Sequence, residues 1–282
     1  MSTLLAAIWM TVSTACAFTN ISALPDGRIV IHNMQFVSAV RIPAPIWIDD
    51  VSPLSHWNFE QTNTTATLDI RPGARHATNE PSVASGPTYH PTLYTNLDGR
   101  TEAVYDFDGT EDRFQTPLSS GSLTLEGSYT LAAWVMLDTN DSTRLIYGDV
   151  AGARGMGMWF SASPANSWRA SQQMSTGFKP VDVAITNNLK EWVHLVVEGT
   201  QTNIQLYVNG QFGSNSGFAV ANYVANSFGM TLGCRIQDDG VTKDLFWDGF
   251  LDDFRAYTNL IGLTEVQLIY SNTRPTANIE VR

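Results

Sequence analysis

The sequence predicts an all-β protein, a two-sheet antiparallel sandwich preceded by an N-terminal extension. Three observations predict it. The apolar pool is aromatic and β-branched, with eight Trp, thirteen Phe and nine Tyr in 282 residues, side chains that suit a pleated surface better than a helix. Short alternating segments recur at even spacing, separated by Gly, Asn and Asp. Trp192–Gly210 reads as two strands joined by a polar turn, with Trp192, His194 and Val196 on one face and Val193, Leu195 and Val197 on the other. Its Asn209-Gly210 ending suits a tight turn, because both residues tolerate positive φ. Such a pair cannot bury its apolar face alone and needs further strands around it.

The elements follow in chain order. Met1–Ala17 holds an apolar run, Leu4–Val12, and an A-x-A triplet (Ala15-Cys16-Ala17) like a secretory cleavage site, but no Lys or Arg precedes the run. The run is shorter than the roughly 20 residues that cross a bilayer, so no transmembrane span is expected. We read residues 1–53 as an apolar arm and linker that docks on protein through Leu4, Leu5, Ile8, Trp9 and Phe18; the alternative is a signal region and spacer. Within it, Arg28–Val40 is strand-like on both faces, and Pro43 and Pro45 mark a rigid linker. Residues 54–282 form the second domain. Its expected strands are residues 54–60, Ala103–Phe107, Tyr129–Leu137, Thr143–Tyr147, Gly155–Phe160, the central hairpin, Met230–Ile236 and Leu245–Tyr257, with residues 61–98 mostly loop. One short helix is expected over Thr264–Tyr270, capped by Thr264 with Glu265 in its first turn.

Composition narrows the function. The chain carries 27 acidic and 16 basic residues, a net charge of −11, and only three of the bases are lysines (Lys179, Lys190 and Lys243). No basic stripe is available to neutralise phosphates, so nucleic acid is not an expected partner. Cys16 and Cys234 make no disulfide framework; they read as two separate buried thiols, or as a pair should the N-terminus dock beside the sheet.

Six segments carry a family resemblance: HWNFE (56–60), AVYDFDGTEDRF (103–114), SYTLAAWVMLD (128–138), EWVHLVVEGTQTNIQLYVNG (191–210), MTLGC (230–234) and WDGFLDDFRAYTNLIGLTEVQLIY (247–270). In this order they resemble the laminin-G-like, concanavalin A-like jelly-roll domains over roughly residues 54–271. The resemblance implies a jelly-roll sandwich. Its members include sugar-binding lectins, adhesive modules, modules appended to enzymes, glycoside hydrolases and structural parts of virus particles, so the fold leaves function to the sites.

Glycoside hydrolysis needs two carboxylates about 5–5.5 Å apart when retaining, or about 6.5–9.5 Å when inverting. The hydrolases of this fold share an E-x-D-x-E strand. None occurs here, and no two of the nine glutamates stand at i, i+2 or i+4. Nucleophile elbows, H-E-x-x-H and phosphate loops are also lacking, so no catalytic residue is assigned. Calcium is the expected ligand, because it takes oxygen donors from carboxylates and loop carbonyls. Asp108 and Asp112 match an aspartate-bearing loop of the laminin-G-like pattern, and Asp252 or Asp253 could face them from the last strand. The structural reading is that these aspartates accept turn N–H groups or pair with Arg113 or Arg255. For glycan, Trp159, Trp168 and Trp247 flank polar loops and are the candidate stacking platforms, while Trp134 and Trp192 read as core.

These readings converge on a non-enzymatic structural or attachment protein, a building block of a virion or surface assembly held to other subunits by its N-terminal arm. The alternatives are a secreted carbohydrate-binding or adhesion module and a glycoside hydrolase-like enzyme lacking the usual acids. The expected location is the virion, the extracellular space or the cell surface.

Overall fold

The computed structural model describes residues 20–23, 29–32, 53–57, 66–67, 77–78, 92–95, 103–124, 127–150, 154–163, 166–185, 189–226 and 229–273. The chain divides into two compact units, Met1–Asp50 and Val51–Arg282. In the first, β1 (Asn20–Ala23) pairs antiparallel with β2 (Ile29–His32), with Asn20 opposite His32 and Ala23 opposite Ile29. The arm residues Leu4, Leu5, Ile8, Trp9 and Phe18, and Cys16, lie outside the described residues.

The second unit runs β3 (Ser55–Trp57), β4 (Ala66–Thr67), β5 (Ala77–Thr78), β6 (Thr92–Thr95), β7 (Ala103–Asp108), β8 (Phe114–Gln115), helix α1 (Ser120–Leu123), β9 (Ser128–Leu137), β10 (Arg144–Gly148) and β11 (Met156–Ser161). It continues with β12 (Ser167–Met174), β13 (Gly177–Ala184), β14 (Trp192–Thr200), β15 (Asn203–Val208), β16 (Gln211–Gly217), β17 (Thr231–Leu232), β18 (Arg235–Ile236), β19 (Lys243–Asp244), β20 (Asp248–Tyr257) and helix α2 (Gly262–Asn272). One sheet has the order β13-β12-β11-β10-β17-β8-β5-β4. The other has the order β16-β15-β14-β9-β20-β7-β6, with β3 also paired to β20. Every pairing between these strands is antiparallel.

The core lies between the sheets, and period-two alternation explains its membership. Val193, Leu195 and Val197 of β14 join Leu131, Ala133 and Val135 of β9 from one side. Met156, Met158 and Phe160 of β11 join Trp168 and Ala170 of β12 from the other. The Asn209-Gly210 turn between β15 and β16 has the positive φ values expected of it, 52° and 72°.

The structure differs from expectation in several places, among them a second short helix, α1, closed by a Ser119–Ser122 capping box where only one helix was expected. Met230–Ile236 is interrupted at Gly233 (φ 92°), where an added Cβ would strike the Phe107 ring, so two short strands replace one. The β12–β13 hairpin and β16 were not anticipated. The last helix begins at Gly262 rather than at Thr264, and no side chain of its own caps it.

The cap comes instead from the sheet. The backbone N–H groups of Ile261 and Gly262 donate to Glu198 Oε1 on β14 at 2.9 and 2.7 Å, and the Tyr207 hydroxyl on β15 donates to Glu198 Oε2 at 2.9 Å. A buried carboxylate thus meets the orphan donors and the positive end of the helix dipole. Val266 packs against Ala132, Val196 and Tyr207. Tyr270 stacks on Trp134 with ring centres 5.4 Å apart, and Trp134 Nε1 donates to Thr273 Oγ1 at 2.8 Å. Among the described residues, no helix is long and apolar enough to cross a membrane.

Candidate functional site

The three tryptophans expected to stack on sugar do not form a platform. Trp168 and Trp247 are fully buried core residues with ring centres 6.4 Å apart, so neither offers a face to solvent. Polar neighbours in sequence mislead here: Trp247 precedes Asp248, yet its indole N–H turns inward to the Phe250 carbonyl at 3.3 Å. Trp159 points out of the sandwich, but its indole lies across Gly157 and leaves only 9% of the residue exposed.

The ring that does reach solvent beside it is Phe178, 46% exposed. Phe178 lies nearly parallel to Trp159, at 14° and 6.1 Å between centres. Strand register sets the two four positions apart, Trp159 in the row of Arg169 and Asp182 and Phe178 in the row of Gln173; the indole spans the gap by lying along Gly157, whose row holds Ser171 and Pro180. Polar groups converge on this outer face. Arg169 forks onto Asp182, Nε to Oδ1 at 2.7 Å and Nη2 to Oδ2 at 3.2 Å, and Ser167 Oγ donates to the same Oδ1 at 3.0 Å. The Ser171 hydroxyl is buried with no hydrogen-bond partner among the described residues. At the free edge of the sheet, Lys179 Nζ sits 5.5 Å from the centre of the Phe218 ring, and Val220 is exposed. An aromatic face flanked by a planar ion pair and amide and hydroxyl groups can stack on an apolar ring face and hydrogen-bond its polar rim. Sequence reading missed Phe178 because GFKP sits in a hairpin that was not anticipated.

The calcium set is not assembled. Asp253 belongs to an ion pair elsewhere: its carboxylate receives His56 Nε2 at 2.5 Å and Arg255 Nη2 at 3.0 Å, with Arg255 Nε within 3.2 Å of both oxygens. Burial alone would raise this carboxyl, but the Arg255 guanidinium and the His56 hydrogen bond hold it well below the usual range. Asp253 sits at a bulge in β20 with φ 50°, where the register against β9 shifts. Asp108 accepts from Thr110 N–H, Thr110 Oγ1 and Glu111 N–H at 2.8, 2.7 and 3.2 Å. Asp112 Oδ2 accepts from Asp108 N–H at 3.0 Å. These two aspartates shape a turn, the structural reading of the sequence. Among the described residues, no group of three or more His, Cys, Asp or Glu side chains could hold a metal ion.

Carboxylates do gather at that end of the second sheet. Burial, then Asp138, Asp112, Asp248 and Asp108 in turn, push the Asp106 carboxyl up to about 7. Asp248 is bridged by Arg144 at 3.3 Å. Asp106 lies within β7, paired with Phe250 and Thr92, and the others lie at strand ends and turns.

The architecture and the comparisons agree on the class. The concanavalin A-like lectin/glucanases superfamily matches residues 108–267, and the chain belongs to it. No curated protein matches the chain in sequence. Solved structures of botulinum neurotoxins share the fold. One is a type C structure from work in which cell entry depends on interaction with two ganglioside molecules; another is the binding domain of type DC in complex with rat synaptotagmin II. Each aligns at TM-score 0.57 and 10% identity, covering 80% of this chain and 52% of the other. The receptor-binding domain of type D aligns at TM-score 0.57 and 12% identity, covering 78% and 52%. The chain therefore spans about half the length of these structures.

Proposed function

We propose that this protein is a non-enzymatic binding module that attaches to glycan through the outer face of the β11–β12–β13 strands. The observation that carries this reading is the exposed Phe178 ring laid parallel to Trp159 beside the Arg169–Asp182 fork. The superfamily's lectin members and the ganglioside dependence of one fold neighbour support the ligand class. The absence of an E-x-D-x-E strand from the sequence supports a binding rather than a hydrolytic role. Extracellular or cell-surface placement goes with this role. On a glycan array the wild-type protein should bind a defined subset of sugars. Phe178→Ser should lower that binding about tenfold or more, one stacked ring being worth about 1–3 kcal/mol, and leave the melting temperature nearly unchanged because the ring is exposed. Uniform failure to bind, or hydrolysis of a bound sugar, would reject the reading.

A narrower role follows from a different observation: no charged residue occurs before Asp26. We propose that this segment anchors the module to other subunits of a virion or surface assembly. Removal of residues 1–48 should then abolish incorporation while leaving the sandwich folded; incorporation at wild-type occupancy would reject the anchor.

A further inference from the structure

The outer face of the second sheet buries a histidine that nothing above employs. His194 is 1% exposed, and neither ring nitrogen has a hydrogen-bond partner among the described residues. Its backbone is fixed on both sides by Asn209: His194 N–H donates to Asn209 Oδ1, and Asn209 N–H to the His194 carbonyl, at 2.9 and 2.8 Å. Its ring packs against the stacked Trp134–Tyr270 pair, 5.0 Å from Trp134 on β9 and 6.1 Å from Tyr270 on α2. Tyr270 closes over this spot because residue 210 is glycine; a Cβ there would stand 2.9 Å from the Tyr270 ring.

We propose that His194 is an acid-sensitive latch for α2, in which protonation of the ring releases the helix and uncovers the apolar strip of Trp134, Ala132 and Val196. An imidazolium needs acceptors for two N–H groups, and the docked arrangement supplies none; burial without them is costly. Release of Tyr270 would give both nitrogens water. The charged groups facing the ring come from β20. Burial outweighs both: Asp253, which pairs with Arg255 and with His56 of β3, favours the cation, and Arg255 opposes it. Tyr270 is the titratable group that α2 presents, and among the described residues β9 and the β15–β16 turn contribute Trp134 and Asn209.

Burial lowers the His194 ring to about 3 from an ordinary 6.5. The docked state therefore binds fewer protons than the released one between those values. Docking is fully favoured above pH 6.5 and weakens as pH falls towards 3, by up to tenfold in equilibrium constant per pH unit.

Hydrogen exchange of the α2 amides, corrected for intrinsic rates and referenced to β9, reads this directly. Wild-type protection in α2 should fall by up to about 50-fold between pH 6.5 and 4.5. His194→Phe, which keeps the stack and cannot titrate, should show a nearly flat profile over the same range. A flat wild-type profile, or an equal slope in both proteins, would overturn the latch. Should His194→Phe fail to fold, the wild-type ring resonance decides: it should stay neutral to pH 4.5 wherever α2 remains protected. Titration near 6.5 with α2 still protected would overturn the proposal.

Discussion

The two outer faces of the sandwich are built for opposite purposes. That of the second sheet is closed: α2 lies on it, and beneath or beside the helix are Trp134, His194, Glu198, Asp253 and Arg255, all nearly inaccessible. That of the first sheet ends in an exposed phenylalanine and a partly exposed ion pair. The chemistry on the two faces is similar, an aromatic pair beside an arginine–aspartate fork. Burial is what differs, and it decides what each fork does. A fork sealed from water fixes structure, because losing one partner strands a charge. A fork at the rim is worth little to stability and is free to meet a ligand.

The largest expected effect tests the closed face. Arg255→Met leaves the Asp253 carboxylate buried with His56 alone, and should cost about 3–5 kcal/mol in urea unfolding. The sign with pH is fixed by the depressed Asp253 carboxyl: the contribution is present above the ordinary carboxylate value of about 4 and is lost as pH falls below it. Glu198→Gln in the same measurement should cost less, about 1–3 kcal/mol, since the amide oxygen can still accept from the helix N–H groups. If Arg255→Met costs under about 1 kcal/mol at pH 7, the two forks are equivalent and the contrast between the faces disappears.

Much of the architecture was legible because long runs rich in β-branched, aromatic and aliphatic residues, bounded by turn residues, read as strands even where both faces are buried. Ser128–Leu137, Trp192–Thr200 and Asn203–Val208 fall where the pattern put them. The β12–β13 hairpin was not, because SWRASQQM turns Trp168, Ala170 and Met174 inward around a buried Gln172 and fills the other face with Ser, Arg and Gln. The edge strand β16, QFGSNSG, has almost no apolar signal; its pairing with β15 is made by backbone. The site was harder still. Sequence placed tryptophans beside polar residues and could not say which way each ring turned. Trp168 and Trp247 turn inward and Trp159 lies flat on a glycine, so the exposed role falls to Phe178. For the aspartates two readings stood open, calcium or local structure. Local structure accounts for the observed bonds: Asp108 accepts from its own turn, and Asp253 meets Arg255. The helix cap was beyond sequence patterns, since Glu198 lies 63 residues before Ile261.

The smallest expected effect sharpens the open face. Arg169 and Asp182 side chains are 25% and 39% exposed, so Arg169→Met should change unfolding free energy by less than about 1 kcal/mol, with even that difference shrinking in high salt. The same substitution removes five N–H donors from the strand position opposite Trp159, on the same outer face as Phe178. It should therefore weaken glycan binding several-fold while unfolding stays near wild type, a separation that Arg255→Met cannot produce. Paired measurements of unfolding and binding on the one variant distinguish the cases. A fall in both would mean that the Arg169–Asp182 fork holds the β12–β13 hairpin in place, and the first sheet would then be closed in the same sense as the second.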